Sequence, residues 1–246
     1  MIHPVMVLLS LMLPALLVAP PACGATLEQE AANLRAKALH NLALLSTITM
    51  DQQVTVAAVS AGGQPVGQAR ESHEAISWSR STARLRQRHL SSPASGYAVD
   101  VLAHRLLLAR GATTLLDESA DDIRLAGLAT PQPAWLWRPE WLIPEHPAAV
   151  RIEGIALVIT AGTSYPRREI WLDRSLGLVQ KVVETDATGR VVRVATCSDW
   201  RRVGAAWVSF RVEDTVTGTV GGVRRVWALG ACAVNAPLTE ADFALP

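Results

Sequence analysis

The chain is poor in the residue types from which active sites are usually built. Its 246 residues include three cysteines, six histidines, two tyrosines and two phenylalanines. No Cys-x-x-Cys pair and no other metal-ligand spacing occurs, and His73-Glu74 lacks the second histidine of a metalloprotease helix. Gly-x-Ser-x-Gly and a phosphate-cradling glycine loop are absent too, which removes the common serine-hydrolase and nucleotide-binding sites. Asp121-Asp122 reads as a helix start rather than an acid–base pair. Neither a cofactor nor catalysis is expected. An excess of one charge is missing as well: 23 basic and 22 acidic residues leave a formal net charge of +1. That balance argues against nucleic acid as a partner and against adsorption to an anionic membrane.

Long apolar runs are confined to the start. Val5–Leu9 and Leu11–Ala19 are followed by Pro20-Pro21 and the small residues Ala22–Ala25, the pattern of a secretory signal over residues 1–25. Pro14, Pro20 and Pro21 interrupt a run already short for a membrane span. Cys23 raises lipid attachment as an alternative, but Pro20 stands where an aliphatic residue normally precedes a lipidated cysteine. Cleavage near Ala25 and export to the periplasm are therefore the expectation. Export would allow Cys197 and Cys232 to oxidise. They lie on strands separated by one other, roughly 9–10 Å apart in a flat sheet, beyond disulfide reach unless curvature closes the gap. Two buried thiols fit better.

What the chain does have is periodicity. Thr26 can cap a helix with Gln29 at the capping-box spacing, and Leu27, Ala31, Leu34, Ala38 and Leu42 then recur on one face. From Gln53 the period changes to two, and strands are expected at 53–58, 68–79, 82–90, 98–103, 104–109, 113–116 and 150–160. An insertion at about 119–146 interrupts them, with a short helix over 123–128. It holds Trp135, Trp137 and Trp141, three of the eight tryptophans, amid four prolines. The last third reads as a meander: 168–173, 178–183, 190–196, 207–212 and 223–229, with turns at 174–177, 186–189 and 215–218. This is an antiparallel β pattern in one domain over residues 26–246, without the alternating helices of an α/β enzyme.

Several stretches of that meander form a succession. They are Glu169–Asp173 with Gly177-Leu178, Asp186–Val192, Ser198-Asp-Trp200, Ala206-Trp-Val208 and the closing Asn235–Phe243. In this order they resemble the LolA-like superfamily, which includes the outer-membrane lipoprotein-sorting proteins. The match spans roughly residues 165–246, and the order of elements extends it over the rest. The resemblance implies a mainly β (α+β) fold: a strongly curved antiparallel sheet forming an incomplete half-barrel, with an N-terminal helix and a helical lid over the concave face. It also implies a monomeric periplasmic carrier of lipid or acylated lipoprotein, receiving cargo from an inner-membrane transporter and passing it to an outer-membrane acceptor. The alternatives are a lipid-sensing regulator of the MucB/RseB type and an adaptor of a lipid-exporting transporter.

Apolar cargo needs water-free surface, since each buried CH₂ contributes about 0.8 kcal/mol. On that reading Trp135, Leu136, Trp137, Trp141, Leu142 and Ile143 form the lid, and Trp171, Val208 and Phe210 belong to the lining. Val208, Phe210 and Val212 share one face of their strand, and Val192 and Val194 contrast with Arg193 on the strand before. Arg84, Arg86 and Arg88 fall on one strand face, expected to be convex and solvated.

Overall fold

The computed structural model describes residues 26–82, 84–90, 92–100, 105–110, 113–119 and 142–244. One α-helix, thirteen strands and a 3-10 turn at Glu240–Asp242 are described: α1 (Leu27–Ala43), β1 (Thr47–Val59), β2 (Pro65–Ser79), β3 (Arg84–His89), β4 (Ser92–Asp100), β5 (Arg105–Arg110), β6 (Thr113–Ser119), β7 (Ala149–Glu153), β8 (Ala156–Ala161), β9 (Arg167–Asp173), β10 (Val179–Thr185), β11 (Val191–Val203), β12 (Ala206–Thr217) and β13 (Gly222–Val234). They form a single antiparallel sheet in the order β6-β5-β4-β3-β2-β1-β13-β12-β11-β10-β9-β8-β7. Two meanders are thus joined where the first strand pairs with the last, from Ile48↔Val234 to Val59↔Gly222. β6 and β7 are the free edges, so the sheet is an open half-barrel.

The expected helix is present almost residue for residue. The Thr26 hydroxyl accepts the Gln29 N–H at 3.2 Å and caps its start. Ala31, Leu34 and Leu42 are buried, with Leu27 and Ala38 packed beside them. A 17-residue helix is roughly 25 Å long, about the width of five strand spacings. Accordingly α1 lies across the inner face of the sheet and reaches from β7 to β12. Near its first turns Ala31 and Leu34 meet Leu157, Ile159, Ile170, Leu172 and Val182 of β8–β10. At the other end Leu42 and Leu45 meet Ile48, Met50, Ile76, Trp78, Val208 and Phe210.

Polar contacts fix the helix at both ends. Arg174 bonds Glu30 at 2.6 Å, and the Lys37 ammonium donates to the Ser175 carbonyl at 2.8 Å. Between them Gly177, in the expected 174–177 turn, has φ +72° and lies against α1. A Cβ there would stand 2.6 Å from the Leu34 carbonyl, so both backbone angle and space require glycine. At the far end Asn41 donates to the Trp207 carbonyl at 2.9 Å and accepts the Trp207 N–H at 2.7 Å.

The strands run longer than the sequence pattern suggests, and three readings change. Residues 150–160 are a hairpin, β7 and β8, turned at Gly154 with φ +59°. The turn expected at 215–218 lies three residues on, at 218–221, closed by the Gly218 N–H donating to the Gly221 carbonyl, because Thr215–Thr217 still pair with β13. The strand expected at 190–196 does not stop before Ser198-Asp-Trp200. β11 continues through it to Val203, with Asp199 at φ +52°. The closing motif also has a structural role. Asn235 leaves β13 at φ +58°, accepts from Ser46 and donates to the Leu44 carbonyl, tying the chain's end to the link after α1.

The tail then crosses the outer face. Arg84 pairs with Glu240 and stands 6.0 Å from the Phe243 ring centroid, and Arg86 donates to the Ala241 carbonyl at 3.1 Å. The arginine row expected to be solvated is therefore partly covered by the chain itself. The short helix at 123–128 falls outside the described residues.

Two outcomes are expected from this packing. Leu34→Ala, deleting a side chain that is 1% exposed, should destabilise the fold by about 2–5 kcal/mol in urea titrations; a cost under ~1 kcal/mol would show that α1 is not integral to the core. The hydrogen bond from Arg174 holds the Glu30 carboxyl below its ordinary value of 4.5. A lowered carboxylate stabilises above that value, and its contribution is lost as pH falls through the folded pKa. Amide exchange of the first turns of α1 should therefore accelerate below about pH 4.5, and Glu30→Gln should abolish that pH dependence.

Candidate functional site: the inner face of the half-barrel

Cross-strand register sorts the inner face into bands. One continuous row runs Val150–Ile159–Ile170–Val182–Ala195–Asp214–Arg225–Val56–Arg70. Its first half is apolar and lies under α1, whereas its second half is mostly charged and lies beyond the helix. The neighbouring row Cys197–Val212–Trp227–Val54–Ser72 is largely apolar, and Val212 and Val54 are buried.

Of the expected lining residues, Val208 and Phe210 lie in the core beneath the end of α1. Trp171 is on the opposite surface. It alternates with buried Ile170 and Leu172, so its ring points outward, 4.7 Å from the Lys181 ammonium and 5.8 Å from the Arg151 guanidinium. The attraction of these cations for its ring favours this half-buried position on the outer face. Of the expected lid, Leu142 and Ile143 are buried in the α1 cluster, and the Ile143 carbonyl accepts from Arg35 Nε at 3.0 Å. Trp135, Leu136, Trp137 and Trp141 lie outside the described residues.

Beside α1 is a cavity of about 40 Å³, lined by Leu42, Leu45, Leu178, Trp200, Trp207 and Val208 among others. The Trp200 indole N–H is buried with no acceptor among the described residues. That volume holds one or a few water-sized groups, far less than an acyl chain. Holding such a chain in this cavity would require α1 to move.

A chain of charged residues on the inner face went unread in the sequence. Arg168 bonds Glu184 at 2.6 Å, and Arg193 reaches Glu184 at 3.9 Å and holds Asp214 with two bonds of 2.8 Å. Burial lowers the Arg193 pKa, but the bonds to Asp214 outweigh it and the net shift is upward. Arg193 thus shares its face with Ala195 and Cys197, and Val192 and Val194 face outward, the reverse of the simple polarity reading. An ion pair satisfied within the protein lets a guanidinium occupy a position that alternation assigns to an apolar residue. A second polar group lies deeper, where buried Glu74 accepts from Gln52 at 3.0 Å and from Ser72 at 2.9 Å.

The two thiols are free. Burial pushes both upward: Cys197 strongly, with the Asp214 charge adding to it, and Cys232 to about 11. Both remain protonated at neutral pH, which suits packing rather than nucleophilic chemistry. Among the described residues no cluster of His, Cys, Asp and Glu has the geometry to hold a metal ion.

No family model and no curated sequence matches the chain. Several solved structures do. A DUF1329 family protein from Desulfovibrio piger superposes with a TM-score of 0.62 at 11% identity, over 89% of this chain and 98% of that one. A LolA superfamily protein from Nitrosomonas europaea gives 0.56 at 12% identity, over 87% and 97%. A putative outer membrane lipoprotein-sorting protein domain from Vibrio parahaemolyticus gives 0.57 at 12% identity, again over 87% and 97%. The chain has the LolA-like half-barrel fold.

Removing one member of the buried ion pair should be costly. Asp214→Ala leaves Arg193 without its bidentate partner and is expected to lose about 3–5 kcal/mol in chemical denaturation. The double replacement Asp214→Leu with Arg193→Met should recover most of that loss. Equal losses in the single and double variants would show that the pairing is not what holds these residues in place.

Proposed function

We propose that the protein is a non-catalytic periplasmic carrier of lipid or acylated cargo. The carrying observation is an open half-barrel whose apolar inner face is covered, among the described residues, by α1, which polar contacts hold at its ends. Support comes from the fold neighbours, one of which is described as a lipoprotein-sorting domain, and from the export signal read over residues 1–25. Opening would expose Leu157, Ile159, Ile170 and Val182 beneath the first turns of α1, and Val208 and Phe210 beneath its end. An acyl chain laid along these side chains gains about 0.8 kcal/mol per buried CH₂ without needing any specific polar partner.

In this reading the tryptophan-rich segment, with Trp135, Leu136, Trp137 and Trp141 leading into Leu142 and Ile143, acts with α1 as the closing surface. Cargo is taken from an inner-membrane transporter and released to an outer-membrane acceptor that binds it more tightly, with the carrier acting as a monomer. No step makes or breaks a covalent bond.

Native mass spectrometry of protein recovered from the periplasm tests this. The expected result is a chain beginning near Thr26 with acyl-bearing species bound, and loss of those species in Trp137→Asp. Protein that stays in the cytoplasm, or that emerges empty and binds no added lipid or lipopeptide, would overturn the reading.

A further inference from the structure

Beyond the reach of α1, the inner face carries charge that nothing among the described residues neutralises. Arg225 and Arg70 are both register partners of Val56, one on each side. Their Cα atoms are therefore two strand spacings apart, about 9–10 Å, and both side chains project from the same face. Both residues are exposed, and neither has a hydrogen bond or ion pair among the described residues. The carboxylates on this face are already engaged: Asp214, the cross-strand neighbour of Arg225, is held by Arg193, and Glu184 by Arg168. Glu213 and Glu71 belong to the outer face, where they pair with Arg224 and Gln53.

The surface around the two guanidinium groups is apolar. Val56, Val66 and Val216 are 36%, 54% and 42% exposed, and Val223 lies between them in register. On the interior side this patch continues into a band of buried Val54 and Val212 and half-buried Trp227. Exposed contiguous apolar surface marks a binding site more often than chance. Here it is joined to two unpaired arginines at a separation that two side chains can bridge around one phosphate. Guanidinium groups bind phosphate oxygens with paired, charge-assisted bonds.

We infer that the Arg70–Arg225 rim binds the phosphate of an anionic lipid, with its acyl chains lying on the Val56, Val216 and Val54 band. The inference rests on the carrier reading and narrows it, selecting an anionic phospholipid molecule over neutral acylated cargo.

The test uses the full exported chain titrated with two monomeric short-chain probes, dihexanoyl phosphatidylglycerol and the uncharged dihexanoylglycerol. Inorganic phosphate and phosphatidylglycerol vesicles form separate arms. The anionic probe should bind at least about tenfold more tightly than the neutral one. Arg70→Gln with Arg225→Gln should erase that preference and leave dihexanoylglycerol binding unchanged. Because both side chains are exposed, the double variant should unfold at the wild-type urea concentration, and Arg→Lys at both positions should restore part of the preference.

If dihexanoylglycerol binds and the anionic probe binds no better, the rim proposal fails and the carrier reading stands. If neither probe binds, both fail. Binding to vesicles without binding of the monomeric probe would overturn the proposal in favour of a bilayer-docking surface. Inorganic phosphate binding as tightly as the phospholipid would overturn the role given to the valines.

Discussion

The architecture depends on how backbone hydrogen bonds are satisfied where β13 leaves β12. The two strands pair only from Arg211↔Ala228 to Thr217↔Gly222, after which β13 continues along β1. Residues 206–210 of β12 would then face an unpaired edge inside the protein, an expensive arrangement for buried N–H and C=O groups. Asn41 takes the place of the missing strand, its side chain bonding both the N–H and the carbonyl of Trp207. Leu42 and Leu45 fill the opening beside it with Val208, Phe210 and Ile48. One asparagine thereby ties the helix to the sheet at the point where the sheet divides, and the β1–β13 pairing beyond it makes one half-barrel out of two meanders.

That arrangement produces an inner face with two characters. Under α1 it is a dry aliphatic core, where Leu157, Leu172 and Ile170 are fully buried. Past the helix it changes to ion pairs, exposed valines and two arginines unpaired among the described residues, along the same cross-strand rows. Such a gradient from apolar to charged along one concave surface matches the polarity of an amphiphile. The outer face is stabilised differently, with the C-terminal tail laid on Arg84 and Arg86 and Trp171 flanked by cations. Large aromatic side chains are therefore not confined to the lining, and tryptophan content alone does not locate a cavity.

The elements that local chemistry specifies were legible in the chain. Thr26 and the 3.6-residue spacing of Leu27, Ala31, Leu34, Ala38 and Leu42 specify α1, and the Arg174–Gly177 and Asp186–Gly189 turns specify the C-terminal hairpins. Alternation placed Val208, Phe210 and Val212 on the inner face, because a half-buried strand sorts its side chains by polarity when no partner intervenes. It misassigned Arg193, because the face Arg193 occupies is set by Asp214 on another strand; Trp171 was assigned to the lining by the resemblance, whereas alternation with Ile170 and Leu172 turns it outward. What the sequence alone determined is which segments are helix and strand, and that the strands follow one another as hairpins. The tertiary structure decided that the first strand meets the last and that α1 lies across β7–β12. It also decided where charge collects on the inner face, since each of these depends on contacts between residues far apart in the chain.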